Sequence, residues 1–412
     1  MILIGSLLFM IPTVHNDNIN INFIDALFTS ASAVCVTGLA TVDPGNTFNP
    51  IGRTILAILI QLGGLGLATI SVGFFIFSGK KIGLNQRKLV KEALHYGSFK
   101  DILSFLKIVL FITFGFELIG MILLLFVFIK DYSFWDALGI SAFHSISSFN
   151  NAGFDIMGNF QSLLPYQNNI TLNLITSLLV ILGGLGFFVI IDIFEKRKFK
   201  KFSLQSKIVV CMTIMLLVIG TILLKLTEGF SWLNAFSFSA YARTAGFSNI
   251  PLNEFTTAGL LILMALMFIG ASPGSTGGGI KTTTFFVLLK AAHNAATTSK
   301  PTTAFKKQIP HSLVYLAAVI TFLSLGIIFV STLLLTIVEP NIAFIDLVFE
   351  VVSAFGTVGL STGITSTLSI AGKLIIILTM FFGRIGPLAL ASLWVWKKDV
   401  SYKYTEENIS IG

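Results

Sequence analysis

Four tripeptides in this chain offer the same backbone chemistry. Val36-Thr37-Gly38, Asn151-Ala152-Gly153, Thr244-Ala245-Gly246 and Thr357-Val358-Gly359 each close on glycine. What they present is main-chain carbonyl oxygen, turned by a residue that admits torsions a β-carbon would forbid. Rings of such carbonyls replace the hydration shell of potassium. A single T-x-G would carry no weight. Each of the four, however, is followed 24 to 30 residues later by a second glycine, Gly63, Gly183, Gly270 or Gly383, inside an apolar run. Recurrence at this scale describes one unit used four times.

The elements that must position these loops are legible around them. Ahead of each tripeptide runs a short apolar segment: FIDALFTSASAVC, FWDALGISAFHSISSFN, WLNAFSFSAYAR and FIDLVFEVVSAFG. Asp25, Asp136, Asn234 and Asp346 stand 12 to 17 residues before the glycines, placed to cap the first turns of four half-length helices. The negative C-terminal ends of those helices would converge on one point and favour a cation there. The competing interpretation is four small-residue helix-packing sites. It leaves unexplained why capping residue, short helix and glycine loop recur together.

The unit therefore reads as outer helix, re-entrant half-helix, filter loop and inner helix. The expected fold is an all-α integral membrane protein with four such repeats in pseudo-fourfold symmetry around one pore. The repeats fall at 1–79, 80–201, 202–296 and 297–400, with a tail at 401–412. Composition agrees: 54% of the 412 residues are hydrophobic and 11% charged, against roughly 25% charged in soluble domains. Apolar spans are expected near 54–78, 102–129, 170–194, 207–226, 257–269 continuing at 282–293, 312–338 and 373–396. The opening run, Met1 to Pro12, is too short to cross a bilayer, so the first outer helix is expected to be incomplete here. Cys35 and Cys211 lie in apolar contexts and read as packing residues.

Charge placement gives an orientation. Lys80, Lys81, Arg87, Lys88, Lys91, Lys100 and Lys107 fill the first inter-unit connection, and Lys196, Arg197, Lys198, Lys200, Lys201 and Lys207 the second. Lys281, Lys290, Lys300, Lys306 and Lys307 occupy or flank the third, and Lys397, Lys398 and Lys403 the tail. By the positive-inside rule these connections and the C-terminus are cytoplasmic, and the filter loops open outward. The basic loops suit anionic lipid or a cytosolic partner.

The second signal is Gly270-Ala271-Ser272-Pro273-Gly274-Ser275-Thr276-Gly277-Gly278-Gly279-Ile280, which interrupts the third inner helix at mid-membrane depth. Proline and five glycines cannot hold a regular helix, and broken backbone there must line a cavity. A phosphate-binding loop is the nearest soluble analogue. It fails because Ile280 separates Gly279 from Lys281 and an apolar helix, not a strand, precedes it. Arg384 falls in the register of Gly64, Gly184 and Ala271, where a guanidinium is costly without partners. An Arg243–Glu350 pair is expected to brace adjacent units, with Glu117 as an alternative counter-ion. Asp43 and Asp155 follow their filters and would concentrate cations at the mouth or stand as solvated loop carboxylates.

On these residues the chain resembles the membrane subunit of the Trk/Ktr/HKT superfamily of potassium transporters, most closely the Ktr type. The resemblance covers nearly the whole chain, and all four filter glycines are present. In that family a serine in place of the first glycine goes with sodium permeation, so Gly38 implies potassium. The resemblance makes Gly270 to Thr284 an intramembrane gate loop and Arg384 its partner. It also implies a homodimer on a cytosolic RCK-type nucleotide-binding ring, in a bacterial plasma membrane, with sodium as an activator. No organic cofactor, nucleic-acid partner or enzymatic activity is expected. His15, His95, His144, His293 and His311 are too scattered for a catalytic cluster. Alternating-access transport remains the rival, and it calls for paired broken helices in inverted halves.

Overall fold

A computed structural model describes residues 1–17, 19–66, 102–297 and 301–386. The basic residues Lys80 to Lys100, Lys300 and Lys397 to Lys403, and the tail 401–412, lie outside the described residues. The described chain is helical apart from a two-stranded hairpin, β1 (Thr303–Ala304) and β2 (Lys307–Gln308). Its helices are α1 (Ile2–Phe9), α2 (Phe23–Cys35), α3 (Pro44–Thr47), α4 (Pro50–Leu65), α5 (Ile102–Phe128), α6 (Phe134–Phe149), α7 (Ile170–Leu185), α8 (Phe187–Lys196), α9 (Leu204–Glu228), α10 (Trp232–Tyr241), α11 (Thr257–Phe268), α12 (Thr282–Thr297), α13 (His311–Val338), α14 (Phe344–Gly356) and α15 (Ile370–Ile385).

Within α5, α9 and α13, stretches of 24, 25 and 28 residues are long and apolar enough to cross a membrane. One face of each carries exposed apolar side chains, among them Phe111, Phe126, Leu226, Phe322 and Phe329. The interior holds small polar side chains beside its apolar clusters. Thr29, Ser30 and Ser32 on α2, Ser141, Ser145, Ser147 and Ser148 on α6, and Ser237 and Ser239 on α10 are buried. Small hydroxylated residues let helices approach closely where lipid supplies no hydrophobic drive between them.

The short helices α2, α6, α10 and α14 follow one packing rule. Each half-helix lies against the inner helix of the preceding unit: α6 on α4, α10 on α7, α14 on α11, and α2 on α15. The last contact joins the two ends of the described chain. An ion pair fixes it, with Lys373 Nζ of α15 donating to Asp25 Oδ1 of α2 at 2.8 Å.

Two expectations need correction. The span at 170–194 is not one straight helix: α7 and α8 meet at Gly186 with a 96° bend. Gly186 has φ +90, and Gly66 and Gly386 end α4 and α15 at the same register with φ +79 and +89. The third inner helix is thus not alone in being interrupted. Nor do Asp25, Asp136, Asn234 and Asp346 cap the half-helices. All four occupy the third helical position, and the N-caps are Asn22, Ser133, Ser231 and Ala343. Ser133 and Ser231 accept from the Asp136 and Asn234 N–H groups, as a serine N-cap does at that position.

Candidate functional site: a ring of four glycine loops above a broken helix

The four tripeptides share a backbone that side-chain chemistry alone would not suggest. Their first residues, Val36, Asn151, Thr244 and Thr357, all have left-handed φ of +57, +59, +75 and +48. For β-branched residues this is an unusual conformation that surrounding structure must hold. Their last residues, Gly38, Gly153, Gly246 and Gly359, have φ of +94, +69, +71 and +99. Left-handed residues on both sides of each central residue, Thr37, Ala152, Ala245 and Val358, replace the extended or helical course with a tight repeated turn.

Serines at the ends of the half-helices hold this conformation. The N–H groups of Thr37, Ala152 and Val358 donate to the carbonyls of Ser32, Ser147 and Ser353 at 2.8, 2.8 and 2.9 Å. The Gly38 and Gly359 N–H groups donate to Ser32 Oγ and Ser353 Oγ at 3.0 and 3.1 Å. Ser147 Oγ instead donates to the Phe154 carbonyl at 2.6 Å. In the third unit Ala240 takes the serine's place, and the loop is fastened to the Tyr241 carbonyl by the N–H groups of Ala245 and Gly246. The sequence signal for these serines is their spacing: Ser32, Ser147 and Ser353 each stand six residues before their glycines.

The four glycines close a ring. A Cβ on Gly38 would overlap the Ala152 carbonyl, one on Gly153 the Ala245 carbonyl, one on Gly246 the Val358 carbonyl, and one on Gly359 the Thr37 carbonyl. The order runs first to second to third to fourth and back to first. Above the ring lies a mouth cavity of about 280 Å³, lined by the four glycines and by Asp43, Asp155, Ser361 and Thr365 among others. Asp43 caps α3 and accepts from the Asn46 N–H at 2.9 Å and from the Phe160 N–H. Asp155 lies between α6 and α7, outside the spans, with one contact from the Met157 N–H at 3.1 Å. Burial pushes the Asp155 carboxyl up to about 7; the Met157 hydrogen bond opposes this and the neighbouring Asp43 charge adds to it.

Below the ring the segment Gly270 to Lys281 fills the space between α11 and α12. Gly277 abuts the Thr244 hydroxyl and Gly278 the Thr357 hydroxyl, so closely that neither position has room for a Cβ. Thr276 is fully buried, and its Oγ1 lies 3.3 Å from the Phe149 carbonyl at the end of α6. The segment is therefore in direct contact with the first residues of two glycine loops and the half-helix of another. Its own carbonyls are held by Lys281, whose Nζ donates to Gly277 and Gly278 at 2.8 and 3.4 Å. Ser272 and Thr276 donate their N–H groups to the Gly184 and Gly183 carbonyls at 3.0 and 3.3 Å, and Phe187 N–H donates to the Gly274 carbonyl at 3.1 Å. These last bonds account for the bend at Gly186, which presses against the Pro273 carbonyl. The signal was present in the recurring Gly64-Leu65-Gly66, Gly184-Leu185-Gly186 and Arg384-Ile385-Gly386.

Arg384 reaches this loop from α15. One guanidinium nitrogen donates to the Thr276 carbonyl and another to the Gly63 carbonyl on α4. The inner-helix glycines explain the tight geometry around it. Gly63, Gly183 and Gly383 press on the carbonyls of Val34, Phe149 and Phe355 at the ends of their half-helices, whereas Gly270 presses on Gly278 of its own loop.

The expected Arg243–Glu350 pair does not form. Arg243 directs Nη1 to the Thr213 carbonyl at 3.5 Å, and Glu350 accepts from the Thr365 hydroxyl. Each is anchored within its own unit, on α9 and on the loop after Gly359. Glu117 accepts from the Asn150 amide at 2.9 Å and is likewise no partner of Arg243.

The TrkH family profile, described as a cation transport protein, matches residues 4–400. The chain is 37% identical to Ktr system potassium uptake protein B of Bacillus subtilis, over 100% of this chain and 94% of that one. It is 38% identical to potassium/sodium uptake protein NtpJ of Enterococcus hirae, over 100% of this chain and 95% of that one. Among solved structures, the potassium transporter TrkH of Vibrio parahaemolyticus superposes with a TM-score of 0.74 at 19% identity, covering 95% of this chain and 82% of that one. The likeness to that structure carries the fold, and the full-length sequence matches carry the kinship. The chain belongs to the TrkH family of cation transport proteins.

Proposed function

We propose that the chain takes up potassium through a gated pore made of four repeats in pseudo-fourfold arrangement. The closed ring of Gly38, Gly153, Gly246 and Gly359 is the observation that carries this reading. Left-handed residues on both sides of each central residue make the loops suited to direct carbonyls at a passing ion, as a cation filter requires. The repeats are those bounded at 79, 201, 296 and 400. The segment Gly270 to Thr284 is the gate, because it fills the path under the ring and is latched by Arg384 and Lys281. The basic connections face the cytoplasm of a bacterial cell, and the tail lies on the same side. The membrane protein works as a homodimer with a nucleotide-binding cytosolic ring, as a Ktr-type subunit, and sodium acts as an activator.

The bend at Gly186 gives the alternating-access reading a specific foothold, since a second inner helix is interrupted beside the first. The two interruptions lie in consecutive units of the same direction, not in inverted halves. Potassium-uptake-deficient cells expressing the chain, with and without an RCK-type partner, test the proposal. Uptake that rises with the partner supports it. Failure to restore growth in either case, with protein present in the membrane, refutes it. Saturation at low turnover with fixed ion coupling would select alternating access instead.

A further inference from the structure

Glu117, on α5, is buried and takes no part in the glycine ring, the gate segment or the described ion pairs. Its Oε1 accepts from Asn150 Nδ2 at 2.9 Å. Asn150 is fully buried, closes the C-terminal end of α6 and immediately precedes Asn151, the first residue of the second glycine loop. The same amide nitrogen lies 2.9 Å from Gln61 Oε1 on α4 and 2.9 Å from the Ile146 carbonyl. A Cβ on Gly64 of α4 would overlap the Asn150 amide oxygen, so α4 also hems in this side chain. Ser145 Oγ donates to the Glu117 carbonyl at 2.6 Å, which pins α6 to the same turn of α5. One amide thus joins three helices at the root of a glycine loop. The corresponding place before the other loops is held by Cys35, Arg243 and Gly356. Arg243 likewise reaches its own outer helix, at the Thr213 carbonyl of α9. Cysteine and glycine carry no amide or guanidinium that could span such a gap.

We propose that Glu117, Asn150 and Gln61 are positioning residues that fix the second quarter of the glycine ring, and with it the ion discrimination of the pore. The left-handed φ of Asn151 has to be imposed by its surroundings, and the residue directly before it is the one the three helices grip. A buried polar network with its partners in place rigidifies what it holds. The Asn151 amide in turn lies 3.2 Å from Thr244 Oγ1 and 3.1 Å from Thr276 Oγ1, so a shift at Asn150 reaches the third loop and the gate segment. What position 117 must supply is an acceptor oxygen, not a charge, so the link holds in either form of the carboxyl. The consequence for selectivity rests on the potassium-pore reading, whereas the grip on the loop is measurable without flux.

Reversal potentials of proteoliposomes carrying the full chain, in opposed potassium and sodium gradients, are the test. Glu117→Leu and Asn150→Ala should each lower the potassium-over-sodium permeability ratio by roughly fivefold or more, the effect of one lost buried hydrogen bond. Glu117→Gln keeps an acceptor oxygen and should stay within about twofold of wild type. Glu117→Leu combined with Asn150→Ala should be no less selective than Asn150→Ala alone, because both cut the same link. Unchanged selectivity in Glu117→Leu, or an equal loss in Glu117→Gln, overturns the assignment. If Asn150→Ala does not yield monodisperse protein, Glu117→Leu against Glu117→Gln decides alone. Hydrogen exchange gives the readout without flux: Glu117→Leu should speed exchange of the amides in 147–154 and leave those in 353–360 unchanged. A wild type that conducts without ion preference removes the potassium-pore reading, and exchange then decides the positioning. No change in 147–154, or an equal rise in 353–360, overturns it.

Discussion

Arg384 and Thr276, 108 residues apart, meet under the glycine ring, where the guanidinium of one donates to the carbonyl of the other. The same guanidinium donates to Gly63 on α4, so one side chain ties the broken helix to both α4 and α15. Hydrogen bonds to a charged group are worth about 1.5–3 kcal/mol each, and losing one shifts a two-state equilibrium roughly tenfold or more. Arg384→Ala should therefore raise potassium or rubidium uptake about tenfold with dimer yield preserved in detergent. Arg384→Lys should fall between, since one ammonium cannot span both carbonyls as a guanidinium fork does. Aggregation of the alanine variant with full rescue by lysine would show that the residue holds the fold and not the gate.

Removal of residues 274–279 takes away the backbone that abuts Thr244 and Thr357. The glycine ring and its serine fastenings remain. Uptake by cells carrying this deletion should rise severalfold and depend less on the cytosolic partner. An assembled protein that conducts less than wild type would exclude an obstructive role for the loop.

Gly38→Ser places a Cβ against the Ala152 carbonyl at φ +94. The ring must open locally, and a ring that no longer fits potassium should admit sodium. Reversal potentials in opposed potassium and sodium gradients measure this. Unchanged selectivity would remove Gly38 from the narrow part of the pore.

External pH should act through Asp155, whose carboxyl titrates at about 7. Above that pH the group is ionised and attracts cations to the mouth; below it the group is protonated and the attraction is lost. The apparent potassium affinity should weaken as external pH falls from about 8 to about 6, roughly one unit to either side of the midpoint. Asp155→Asn should give the weaker affinity at every pH and flatten the profile. A pH profile that survives the substitution would point to another group.

Much of this arrangement can be read from residue types because membrane length, glycine and charge act over short stretches. The half-helices, the filter glycines, the broken third inner helix and the unusual depth of Arg384 all follow from local pattern. The caps did not. A serine before an aspartate or asparagine at the third position looks, in sequence, like an acidic cap with a polar neighbour, and only the N–H directions separate the two. The left-handed Val36 and Thr357 were also unreadable, because β-branched residues do not favour that conformation and tertiary contacts impose it. Arg243 and Glu350 show the limit of charge matching. Each is buried in a different unit, and proximity across units is not encoded in spacing.

The joins of the ring bear on how such a chain can change over time. At every join the parts in contact are a glycine and a neighbouring main-chain carbonyl, while the side chains of the four tripeptides differ. Valine, asparagine and threonine each occupy the first place, and the Asn151 amide meets the Thr244 hydroxyl of the next quarter at 3.2 Å. At the join itself, a substitution on the glycine is felt by the neighbouring quarter through that carbonyl. Four glycine loops within one polypeptide thus differ in side-chain composition while sharing one main-chain geometry at their joins.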